Sequence, residues 1–277
     1  DADDAGLVCS TIAATRILGI PHPPGTPLYV LLGRVWILLP WAHTFGVAQR
    51  INAMSAIPSA LTIVLTYLAT LKMIRLAQAG GMQGRERTGT DEWIAQLGAV
   101  TGALLLAFSD NFWENSIEAE VYSLASLAQI LVFYLGLRWW EEHDRRPTAV
   151  PMLMCVYVMW LSVGLHLGVG LMGLPLIVLV WLVDRHAATV FAMPCLAIML
   201  VTMGLEKMAG GVILLSTITF MVLAAQRKVS WMVVLGSLPL ALVGLYYAYG
   251  DKEFTPMTAL LGLASVVVPL TAVALRS

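Results

Sequence analysis

Nine runs of mostly apolar residues recur along the chain with hardly a charge inside them, at roughly 49–75, 93–109, 121–138, 149–165, 168–183, 188–204, 210–225, 230–249 and 256–274. A helix crossing a membrane needs about 20 such residues, whereas a transmembrane barrel alternates polar and apolar positions over about ten. The pattern predicts an all-α, polytopic transmembrane helical bundle of about nine spans. Composition agrees: 59% of the 277 residues are hydrophobic, 12% are charged and mean hydropathy is +0.81, too greasy for a water-facing surface around a single core. The run Leu28 to Trp41 is shorter and ends near Pro40, which suits an interfacial or re-entrant helix over 28–41. Residues 1–27 then form an extracytoplasmic loop with a proline-rich hinge, and 28–277 form the bundle. The chain opens on "DADDAG", with no methionine and no basic stretch leading into an apolar one, which predicts that a further N-terminal segment precedes it.

Basic residues on alternate sides of the spans set the orientation, because cytoplasmic loops carry the Lys/Arg excess. One side collects 11 of the 16, including Lys72, Arg75, Arg85, Arg87, Arg138 and Arg227, and is assigned to the cytoplasm. The other holds Arg16, Arg34, Arg50, Lys207 and Lys252. "GIPHPPGTPLYVLLGR", Gly19 to Arg34, is thereby extracytoplasmic, as are ten of the 17 carboxylates. Acidic side chains do little to set topology, so their gathering on that face asks for another reason.

The gathering is densest in "FSDNFWENSIEAEVYSL", Phe108 to Leu124, which carries Asp110, Glu114, Glu118 and Glu120 and no Lys or Arg. If the following helix begins early, Glu114 and Glu118 share a face, whereas Glu118 and Glu120 point to different sides. Acids at a helix N-terminus are also favoured by the helix dipole alone, the plain reading of Asp110 and Glu114. Glu118 and Glu120 run directly into an apolar segment, and an ionisable group at the membrane edge is a functional candidate. His22 is stiffened between Pro21 and Pro23, which suits either presentation to a ligand or a rigid loop. His166, flanked by glycines between two short spans, is open to ligand binding or to packing. Arg50 suits a lipid phosphate or simple snorkelling to the interface.

Several chemistries lack their parts. The chain has no G-x-x-x-x-G-K-[ST] loop, no H-E-x-x-H and no G-x-S-x-G, and Cys9, Cys155 and Cys195 lie too far apart to suggest a disulfide framework or a metal site. No motif implies a divalent metal, and nothing points to nucleic acid.

Four blocks, "LGIPHPPGTPLYVLLGRVWILLP", "QRINAMSAIPSALTIVLTYL", "AFSDNFWENSIEAEVYSLASL" and "WLSVGLHLGVGLMGLPLI", together resemble the protein O-mannosyltransferase-like membrane proteins of the glycosyltransferase C superfamily, over about the first 185 residues. The resemblance implies a helical membrane bundle with a catalytic first outer loop. It also implies a polyprenyl-phosphate-linked sugar, such as mannose, as donor and co-substrate, and a protein or glycan acceptor at the extracytoplasmic face. The setting it suggests is a bacterial cytoplasmic membrane. In that chemistry a carboxylate takes the acceptor's proton while basic or histidine side chains hold the departing lipid phosphate. Relatives carry an acidic pair resembling D-S-G-E before the "GIPHPPG" block, where an ungapped alignment puts Leu7 and Ser10; a three-residue insertion instead brings Asp4 and Gly6 into D-x-G. The resemblance thus offers Asp4, Glu118 and Glu120 as catalytic residues. It offers His22, Tyr122 and His166 as substrate-binding ones, to which the residues themselves add Asp3, Arg50 and Asp110.

Two other classes fit parts of the chain. A transporter or flippase would show charged groups in mid-span and internal pseudo-symmetry, neither of which is visible. A catalytically degenerate lipid-binding scaffold is favoured by Leu7 at the expected glutamate.

Overall fold

The computed structural model describes residues 2–21, 26–40, 45–81, 88–143, 150–162 and 164–184, with Ala188, Ala192, Leu196 and Leu200; for 2–9, 80, 81, 153 and 160 this means the backbone alone. Every regular element among them is helical: α1 (Ala2–Ile17), α2 (Pro27–Ile37), α3 (Val47–Gly81), α4 (Gly89–Ala107), α5 (Asp110–Ile117), α6 (Tyr122–Glu142), α7 (Val150–Ser162), a 3-10 helix (Leu167–Met172) and α8 (Gly173–Val183). The chain divides into two compact units, one of residues 1–137 with Gly164–His166 and one of the remainder.

The first unit is organised on α3, whose 35 residues run about 52 Å at the usual rise per residue. Over Val47–Ala79 this helix is long and apolar enough to cross a membrane, and α4 with α5, bent by 62° between them, makes a second candidate if the pair is one broken span. Of the nine spans expected from hydropathy, the last four, over 188–274, lie outside the described residues apart from four isolated positions. α2, at 11 residues, is too short to cross.

Small side chains let α4 pack closely on α3. Ala95, Ala99 and Ala103 recur at i, i+4 and i+8 and are buried, and a Cβ placed on Gly98 would come within 3.0 Å of Ile74. Thr88 starts α4 with a reciprocal cap, its hydroxyl accepting from the Asp91 N–H at 3.3 Å and its own N–H donating to the Asp91 carboxylate at 2.9 Å. The outward faces stay apolar: Leu61, Val64, Trp93, Leu97 and Leu105 are exposed.

A helix, α1, occupies most of the segment expected as an outer loop over 1–27. It ends at Leu18, in the left-handed region at φ 57°, where the Gly19 N–H turns back to the Ala14 carbonyl at 2.9 Å. α2 is entered through Thr26, also left-handed at φ 34°. Neither residue is glycine, so each adds strain of about 1 kcal/mol or more that the surrounding packing must hold. That packing is tight. A Cβ on Gly33 of α2 would meet the Thr15 methyl of α1 at 2.5 Å, and the Arg34 guanidinium donates to the Arg16 carbonyl at 2.8 Å, closing the end of α1 with a positive charge.

In the second unit α7 leads through the 3-10 helix into α8. His143 stacks at 4.8 Å on Trp139 and lies 3.5 Å from the Asp184 carboxylate.

Candidate functional site

The four sequence blocks meet in one place. Tyr29 and Ile37 of α2, Ile51 and Met54 of α3, Ala119 and Val121 of the α5–α6 connector, and Leu165 form a single buried cluster, with Ile12 of α1 and Trp36 packed against it. A backbone bond fixes the most distant pair: the Leu28 N–H, left without a helical acceptor in the first turn of α2, donates to the Gly164 carbonyl at 2.8 Å.

The connector presents its carboxylates by alternation. α5 stops at Ile117, and Glu118 is extended at φ −105°, ψ 157°, so the Glu114/Glu118 helical pairing expected from an early α6 is not made. The Glu120 N–H then donates to the Glu118 carbonyl at 2.9 Å in a tight turn around Ala119. Ala119 and Val121 enter the cluster, while Glu118 stays exposed and Glu120 half-buried. The expectation that the two acids point to different sides rested on helical spacing, which this stretch does not have. Both precede the first turn of α6, whose dipole favours negative charge. The Ser123 hydroxyl donates to the Asn115 carbonyl at 2.5 Å and thereby ties α5 to α6 across this turn.

Tyr122 and His166 do come together, with ring centroids 5.3 Å apart and tilted by 54°. Their separation in sequence gave no hint of it. Asp110 sits in the first turn of α5 and is exposed. Arg50 has a structural occupation: its guanidinium donates to the Ile37 carbonyl and to the Phe45 carbonyl, both at 2.8 Å, and so closes the C-terminal end of α2. Trp36 returns the contact through its indole N–H to the Arg50 carbonyl at 2.7 Å. Asp3 and Asp4 lie in the first turn of α1, where only the backbone is described; Asp4 is eight residues, about 12 Å of helix, from Ile12 at the cluster. His22 falls outside the described residues. Among those described, no group of three His, Cys, Asp or Glu side chains could hold a metal ion.

Sequence reasoning missed Tyr29 and the residues of α3 that face it. Tyr29 is fully buried, and burial pushes its hydroxyl above the ordinary tyrosine range; the Ser55 hydroxyl beside it partly offsets this, and the Glu120 carboxylate adds to the rise. The signal was present as hydroxyl and amide residues at Asn52, Ser55, Ser59, Thr62 and Thr66, alternately three and four apart in an otherwise apolar helix.

The chain is 31% identical over 131 residues to Protein O-mannosyl-transferase TMEM260 of Mus musculus, covering 47% of this chain, and 25% identical over 151 residues to Protein O-mannosyl-transferase tmem260 of Dictyostelium discoideum, covering 53%. In each case the match takes in 16% of the relative's length. No solved structure matches the chain. Residues 9–191, which take in Tyr29, Glu118, Glu120, Tyr122 and His166, match the Protein O-mannosyl-transferase TMEM260 N-terminal domain, and the chain belongs to that family.

Proposed function

We propose that the chain is the membrane part of a glycosyltransferase that moves a sugar, mannose in the reading its relatives' names support, from a polyprenyl-phosphate donor to an acceptor hydroxyl at the extracytoplasmic face of a membrane. The setting we propose is a bacterial cytoplasmic membrane, crossed by about nine helices. The observation that carries the reading is the convergence of the four motif blocks on one cluster, with Glu118 and Glu120 at its edge and Tyr122 against His166. The exposed apolar flanks of α3 and α4 support a lipid surround.

In this reading Glu120, or Glu118 beside it, takes the proton of the acceptor hydroxyl as the oxygen attacks the anomeric carbon. The new carbon–oxygen bond forms as the bond from that carbon to the phosphate oxygen breaks, and the electron pair leaves with the polyprenyl phosphate. Protonated His166 would be suited to the phosphate, with His22 of the hinge as a second candidate. Asp4, with Asp3 beside it, remains the alternative base that the D-x-G alignment offers. Arg50 is committed to α2, so its proposed contact with the phosphate would use only the donor positions left over.

The test is transfer of labelled mannose from polyprenyl-phosphate mannose in proteoliposomes, comparing wild type with Glu118→Gln, Glu120→Gln and Asp4→Asn. Loss in one variant identifies the base; a silent wild type across several lipid-linked sugars would replace the transferase by the lipid-binding scaffold.

A further inference from the structure

Where α1 gives way to α2, both helices turn apolar side chains outward. On α2, Tyr29, Gly33 and Ile37 are buried, while Leu31, Val35 and Leu38, at i, i+4 and i+7, hold the opposite face. Ile17 ends α1 and Ile20 follows just beyond it; these two and the three of α2 are between 56% and 81% exposed. Arg34 brings the two surfaces together. It lies three residues after Leu31 and four before Leu38, and its guanidinium donates to the Arg16 carbonyl at 2.8 Å. With 11 residues, about 16 Å, α2 cannot cross a membrane, and a helix of that length with an outward apolar face suits the interface plane.

Two cations stand at this corner with no acid to answer them. From Ala5 to Arg85 the chain contains no Asp or Glu. The ion pairs of the described residues lie elsewhere, at Arg75, Arg138 and His143. Closing the end of α1 accounts for one N–H of Arg34. A guanidinium has five, so four remain, and the Arg16 side chain is exposed with no partner among the described residues.

A phospholipid meets both halves of this surface with a single molecule. Its acyl chains cover the apolar side chains, and its phosphate oxygens accept from guanidiniums at their edge. The missing carboxylates then select the headgroup. A zwitterionic lipid brings an ammonium into a region whose nearest charges are arginines, whereas an anionic phosphodiester brings negative charge alone.

We propose that Arg16 and Arg34 bind the phosphate of an anionic phospholipid whose acyl chains cover Ile17, Ile20, Leu31, Val35 and Leu38. This lipid belongs to the surrounding bilayer and is separate from the sugar donor of the proposed reaction, so the site does not depend on the transferase reading. The test follows the melting temperature of the full chain in a neutral detergent, titrated with phosphatidylglycerol, with phosphatidylcholine of the same acyl chains, or with inorganic phosphate. Wild type is compared with Arg16→Gln, Arg34→Gln, Arg34→Lys and Val35→Gln. Phosphatidylglycerol should raise the wild-type melting temperature saturably, and neither of the other two should match it. Each arginine-to-glutamine change should weaken that lipid by about fivefold, Arg34→Lys should recover most of the loss, and added salt should lessen the difference between wild type and variants. Val35→Gln should weaken the lipid as well, through the acyl chains. Arg34→Gln also removes a bond that closes α1; Arg16→Gln removes none, and so carries the test if the other variant fails to fold.

An unchanged phosphatidylglycerol titration in Arg16→Gln would overturn the site. So would an equal response to phosphatidylcholine, which would leave a lipid surround without headgroup selection. Stabilisation by inorganic phosphate equal to that by the lipid would overturn it by reducing the site to a free anion. Sedimentation of the same samples gives the last arm: an oligomer in wild type that dissociates in Val35→Gln and Arg16→Gln would assign the face to a second copy of the chain instead.

Discussion

The two ends of α3 handle polarity in opposite ways. Near Arg75, side chains answer one another: Arg75 pairs with Glu92, the Gln96 amide donates to Glu92 at 2.9 Å, Tyr67 bonds the Gln96 oxygen, and the Gln78 amide N–H reaches the Asp91 carbonyl at 2.9 Å, leaving the Gln78 oxygen as the exception. Near Arg50 the same helix buries the Ser59 hydroxyl with no partner among the described residues, and sets the Ser55 hydroxyl beside Tyr29. A satisfied network fixes a hairpin of helices, whereas a buried polar group left unpaired costs stability. The contrast separates an end held by paired side chains from one that the proposed chemistry would use.

The sharpest way to break that contrast is to neutralise a carboxylate at the Arg50 end. Glu120→Gln, if Glu120 is the base, should lower the rate of mannose transfer by about 10²–10⁴-fold while the melting temperature barely moves; full activity would leave Glu118 or Asp4 in that role. Next comes packing. Gly33→Ala drives a methyl into Thr15 and should destabilise by about 1–3 kcal/mol, read as a lower melting temperature in detergent. Alkaline titration sharpens the contrast further. Because the Tyr29 hydroxyl titrates higher folded than unfolded, stability is unaffected below the ordinary tyrosine pKa of about 10 and falls above it, by up to about 1.4 kcal/mol per pH unit. Tyr29→Phe should remove that part of the slope. The smallest effect belongs to the Arg75 end, where Glu92→Gln breaks a pair whose side chains are 38% and 39% exposed. That loss should be about 0.2–1 kcal/mol, with transfer unchanged.

Hydropathy located the helices well, since α3, α4, α6, α7 and α8 fall where the first five apolar runs predict them. What it could not supply was the break at Ile117, because the acids of "ENSIEAEVY" fit a helix start as readily as an extended turn; the choice is made by Ala119 and Val121 entering a core built from distant segments. Glu118, Glu120, Tyr122 and His166 were legible as candidates from the family's motif, but their surroundings were not. The α3 hydroxyls went unread for another reason: attention to charge inside the spans overlooks uncharged groups, whose significance appears only when their partners can be counted.

The bond from Leu28 to the Gly164 carbonyl also orders events in time. Its two ends are 136 positions apart, 164 minus 28, so α2 leaves the ribosome long before the residue that completes its first turn. A segment that closes so late adds to contact order and leaves the early helices waiting with an open amide. Nascent chains arrested before Gly164 should therefore leave α2 open to protease, and those arrested well beyond His166 should protect it.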